Sequence, residues 1–140
     1  MPFVTRADCI SAAAAALRTP GLEQRILNIT GPDRMTFREM SQVIAEVAGA
    51  PIEWVDVDGD AMYAFFDRLG VPRVAVPDQS VANIPWSSDD IVSMELALKE
   101  GWFDIQSDDF AMLTGRKPQS FRSFALERRA QLRKLAAARS

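Results

Sequence analysis

Tyr63 and Trp86 are the side chains of this sequence best suited to line a small-molecule site. Each joins a large apolar area to one hydrogen-bonding group, which suits a small, partly apolar ligand. Met62 and Phe66 lie beside Tyr63 at helical spacing and would supply an apolar floor. The stripe Met62, Phe65, Phe66 and Leu69 reads equally as core, and Trp86 as a hydrophobic staple ahead of a helix cap.

Other chemistry is narrowed by what residue types exist. There is no histidine and one cysteine, Cys9, so the common zinc sets, a Ser–His or Cys–His nucleophile pair and an internal disulfide are all excluded. The acidic run Asp56-Val57-Asp58-Gly59-Asp60 resembles the start of a calcium loop. Counted from Asp56, however, loop positions six and twelve are Ala61 and Asp67 rather than glycine and glutamate. No metal is expected. Asp89/Asp90 and Asp108/Asp109 are adjacent carboxylates, but neighbours on a helix do not face each other, and first-turn acids suit the helix dipole. Ser87 and Ser88 open a helix whose N–H groups could hold an anion, except that Asp89 and Asp90 already place negative charge there.

Around these residues the 140-residue chain is 48% hydrophobic and 25% charged, a balance expected of one folded domain over residues 1–140. The net charge of −3 is uneven: from Arg116 onward there are eight Lys/Arg and one Glu, +7, leaving −10 before it. The basic segment reads as a solvated C-terminal helix, about residues 121–138, and no nucleic acid is expected because no recognised binding motif accompanies it. No apolar run reaches membrane-spanning length, and the opening MPFVTRADC lacks a signal-peptide layout, so no membrane contact and a cytoplasmic location are expected.

Capping residues mark the helices. Thr5 with Asp8, Thr36 with Glu39, Asp58 or Asp60, Ser87, Ser107 and Ser120 begin them; Gly21, Gly49, Gly70, Gly101 and Gly115 end them. Arg25–Thr30, Ile52–Val57 and Trp102–Ile105 read as short strands. Residues 71–86, with Pro72, Pro77 and Pro85 and no period, read as a long loop covering any pocket. The fold class is α/β, a small, mostly helical domain with two or three short strands.

Four stretches then carry a resemblance: Phe3-Val4-Thr5-Arg6-Ala7-Asp8-Cys9-Ile10 followed by alanines; Ile29-Thr30-Gly31-Pro32 followed by Thr36 and a helix; Ile52–Val57 after a helix ending in glycine; and Leu113-Thr114-Gly115-Arg116-Lys117-Pro118 before Ser120-Phe121. In order and spacing they resemble the C-terminal, substrate-side portion of NmrA-like, atypical extended short-chain dehydrogenases/reductases, without the nucleotide-binding half. The resemblance implies NAD(P) for the full-length family. Here the seven glycines never form a G-x-G, and Asp67, not lysine, stands four residues after the only tyrosine. This chain alone is therefore expected to bind no cofactor, and no catalytic residue carries over. The expected role is the substrate-binding portion of an oxidoreductase-type protein, as a homo-oligomer or with a nucleotide-binding partner chain, whether as fragment, subunit or remnant. Two alternatives stay open: a stand-alone small-ligand-binding protein or cofactor-independent lyase/isomerase, and a regulatory interaction module.

Overall fold

A computed structural model describes residues 1–77, 81 and 86–138. Seven helices form among them: α1 (Arg6–Ala16), α2 (Phe37–Ala48), α3 (Gly59–Arg68), α4 (Ser88–Lys99), α5 (Asp109–Thr114), α6 (Phe121–Glu127) and α7 (Arg129–Ala137). Most caps fall where the sequence places them, with two corrections: α5 takes Asp108 as its N-cap, without a side-chain cap bond, rather than Ser107, and α1 is capped at Leu17, ahead of Gly21. Thr36 and Glu39 close a full capping box on α2, and Ser87 and Asp90 close another on α4. At α3 it is Asp58, not Asp60, whose carboxylate accepts the Ala61 N–H, at 2.8 Å. Gly49 and Gly115 end α2 and α5 in the left-handed conformation that glycine adopts without penalty. The single C-terminal helix expected from Ser120 onward is two, α6 and α7, parted at Arg128.

The expected strands do not form among the described residues. Arg25–Thr30, Ile52–Val57 and Trp102–Ile105 lie outside any strand, while Pro2 and Arg34 make an isolated antiparallel bridge. The reason is where their hydrogen bonds go. A strand persists only when its backbone groups pair with a neighbour. The Asn28 N–H instead donates to Asp109 Oδ2 at 2.8 Å, and Thr30 Oγ1 donates to the Ser107 carbonyl at 3.1 Å. Several apolar side chains of these runs stay in solvent, Ile26 to 90% and Val55 to 62%, while Leu27 and Ile29 are partly buried.

The chain divides into two compact units, Met1–Trp54 with Asp104–Ser140, and Val55–Phe103. In the first, α2 packs on α6 and α7, and α1 packs on α5. Val43 and Val47 of α2 meet Ala125 of α6, with Met35, Phe121 and Leu132 closing over them. Ala12 and Ala15 are buried on α1 and Phe110 is wholly buried on α5. Small alanines let α1 approach its partner closely. The N-terminal segment lies along residues 31–35: Gly31 N–H reaches the Pro2 carbonyl, and Met35 N–H the Met1 carbonyl. A Cβ at Gly31 would sit 1.7 Å from the Phe3 carbonyl oxygen, so only glycine fits there.

The second unit is the pair α3 and α4. Its core is Phe66, Val71 and Val92, with Met62, Tyr63, Val81 and Ile91 against it. Among the described residues no helix is long and apolar enough to cross a membrane.

Candidate functional site

Helix α3 carries three of the four residues singled out in the sequence. Its 3.6-residue period puts Met62 and Phe66 on one stripe, and both line an apolar groove of about 530 Å³ with Val57, Ala61 and Phe65. Phe66 is also core, packing on Val71 and Val92, so one residue serves both readings. Phe65 stays half exposed, edge-on to Phe66 with ring centroids 5.5 Å apart.

Tyr63 faces another way and does not line that groove. The Arg73 guanidinium lies 4.0 Å from its ring centroid and is held there by two hydrogen bonds to Asp67, at 3.1 and 2.6 Å. Removal from water pushes the Tyr63 hydroxyl above its ordinary value; a hydrogen bond to Asp89 and that carboxylate's charge push it further, and Arg73 opposes them. The phenol therefore stays protonated at neutral pH. Asp67, at the position a catalytic lysine would occupy, spends its charge on Arg73. This arrangement tethers the chain after α3; it does not activate a tyrosine.

Trp86 is 55% exposed. It is not a packed staple on α4, and it is absent from the Met62–Phe66 groove. Of the loop 71–86, residues 78–80 and 82–85 lie outside the described residues. Its first part is anchored: Val71 N–H donates to the Phe66 carbonyl at 3.0 Å. The carbonyls of Pro72 and Arg73 accept the Ser88 and Asp89 N–H groups at 2.9 and 3.2 Å. Asp90 N–H donates to Ser87 Oγ at 3.2 Å. With those donors taken, the start of α4 has none to offer an anion. Among the described residues no cluster of three metal-ligating side chains exists.

A second constellation escaped the sequence reading. Asp8, only 2% exposed, accepts from Arg116 Nη2 at 2.7 Å and from the Gln119 N–H at 2.8 Å. The Arg116 guanidinium also lies over the buried Phe110 ring, 4.8 Å from its centroid. Burial pushes the Asp8 carboxyl upward, but the bonds from Gln119, Arg116 and Thr5, with the Arg116 charge, outweigh it and leave the group below its ordinary value. Asp8 and Arg116 each stand in one of the motif stretches described above. Their separation of 108 residues hid the pairing.

The dinucleotide implied by the motif resemblance can be tested against these residues. It needs an open helix N-terminus behind a glycine-rich turn. Here the starts of α1, α2, α3, α4 and α6 are occupied by the side chains of Thr5, Thr36, Asp58, Ser87 and Ser120, and the uncapped starts of α5 and α7 follow no glycine-rich turn. These residues do not fit the group.

The fold is that of a region within a sugar-nucleotide epimerase: a nucleoside-diphosphate-sugar epimerase from Staphylococcus aureus superposes with a TM-score of 0.68 at 20% identity, covering 90% of this chain and 39% of that one. In sequence the chain is similar to agroclavine dehydrogenase from Claviceps fusiformis, 23% identical over 124 residues, and from Claviceps purpurea (strain 20.1), 26% identical over 134 residues. Those alignments cover 89% and 95% of this chain and 39% and 42% of the relatives. The chain thus spans about two fifths of the length of the curated relatives it matches. No family model matches. These likenesses bear out the resemblance to the C-terminal part of NmrA-like, short-chain-dehydrogenase-type proteins.

Proposed function

We propose that this chain is the substrate-binding portion of an NmrA-like, NAD(P)-dependent oxidoreductase-type protein and is not competent for hydride transfer alone. The nucleotide would be held by residues beyond these, in a partner chain or a further part of the same protein. The observation that carries this reading is the exposure of apolar side chains along the two strand-like runs, Ile26 on one and Ile52, Val55 and Val57 on the other. Apolar runs of this length suit burial against a neighbouring segment, and a sheet contributed by further residues would cover them. The coverage of two fifths of the dehydrogenase relatives supports the same division.

Substrate contact is assigned to the α3 groove, with Met62 and Phe66 on its wall and Tyr63 and Trp86 outside it. The groove is apolar and of ligand size, which suits a small hydrophobic substrate. The test is calorimetric titration of the isolated chain with NADH and NADPH, then with a nucleotide-binding partner present. No heat of binding is expected from the chain alone, and micromolar binding with the partner. A micromolar dissociation constant for the chain by itself refutes the division of labour.

A further inference from the structure

A second groove lies in the unit formed by Met1–Trp54 and Asp104–Ser140. It measures about 550 Å³, within the range of ligand pockets, and runs between the N-terminal segment, α2 and α6. Its walls are the half-buried side chains of Phe3, Met40, Phe121 and Phe124. Three rings and a thioether give a surface suited to a flat or aliphatic hydrocarbon body.

The charged groups at its rim decide the sign of the ligand. Glu127 is already engaged: the Gln119 side-chain amide donates to Oε1 at 2.6 Å, and Arg128 stands 3.8 Å from Oε2. Gln119 is itself held by its backbone N–H on the buried Asp8 carboxylate, so this wall is fixed before any ligand arrives. The Arg128 guanidinium lies 3.7 Å from the centroid of the Phe124 ring. Of the two arginines that line the groove, Arg128 pairs with Glu127, whereas among the described residues no carboxylate lies within ion-pair distance of Arg6. It is exposed, at the first turn of α1, where a cation opposes the helix dipole and so gains nothing from its own helix. The rim therefore carries a compensated acid and an uncompensated guanidinium beside an aromatic floor.

We infer that this groove binds a small aromatic or aliphatic carboxylate, its hydrocarbon part on Phe3, Met40, Phe121 and Phe124 and its carboxylate on Arg6. The site shares no lining residue with the α3 groove and needs no nucleotide, so it stands or falls independently of the oxidoreductase reading. The probes are 2-naphthoate and its uncharged analogue 2-naphthalenemethanol, followed by the methyl resonance of Met40 in methionine-labelled chain. The wild-type chain is expected to show a saturable Met40 shift, with the carboxylate bound about tenfold more tightly than the alcohol. Arg6→Gln, an exposed change, should erase that preference while leaving the unfolding temperature in place. Ala7→Phe, exposed at the same rim, should block both probes. Equal affinity for the two probes, a preference that survives Arg6→Gln, or a Met40 resonance that never moves at millimolar probe would each overturn the assignment.

Discussion

Replacing Asp8 with asparagine keeps the shape of the side chain and removes its charge. In the folded protein the Asp8 carboxylate receives hydrogen bonds from the Arg116 guanidinium and from the Gln119 N–H. An asparagine can present its oxygen to one donor, and its amide then meets the other donor head-on. Removing one partner of a fully buried ion pair costs about 3–5 kcal/mol. Here the Arg116 side chain is 50% exposed and can return to water, so the cost is discounted toward that of lost charge-assisted hydrogen bonds, about 2 kcal/mol. With a urea slope of about 1.5 kcal/mol per molar, the midpoint should fall by roughly 1.3 M. The pH dependence supplies a second reading. Because the folded carboxyl lies below its unfolded value, its stabilisation is present at neutral pH and is lost as the pH falls below about 4. The gap between wild type and Asp8→Asn should therefore narrow as the pH falls below about 4. A midpoint shift below about 0.3 M at pH 7, or a gap that stays constant down to pH 2, would falsify the view that this buried carboxylate ties α1 to the segment before α6.

Two further substitutions probe the frame around the sites. Gly31→Ala should cost about 3 kcal/mol, because the new methyl collides with the Phe3 carbonyl, a backbone atom that no rotamer change can move; thermal unfolding that matches wild type would contradict this packing. Trp86→Ala should change stability by less than about 0.5 kcal/mol, as befits a side chain more than half in solvent, and a loss of roughly 1–3 kcal/mol in urea unfolding would restore the staple role.

What the sequence by itself determined is much of what closes within a few residues. The helix starts at Thr36, Asp58, Ser87 and Ser120 and the stops at Gly49 and Gly115 depend on bonds spanning three or four positions and on a backbone conformation glycine alone adopts freely. The apolar stripe of α3 was legible for the same reason, and with it Met62 and Phe66. The tertiary structure decided the rest. Arg25–Thr30 has the residues of a strand, but a strand is a relation between two segments, and Asn28 and Thr30 found their partners at Asp109 and Ser107. Tyr63 turned from pocket to tether because Arg73, ten residues on, settled over its ring. Asp8 read as half of a helix cap until the chain folded Arg116 and Gln119 onto it. A local pattern cannot encode which distant group will arrive, because that choice minimises the free energy of the packed whole: a buried carboxylate must be satisfied, and only the folded chain determines by whom.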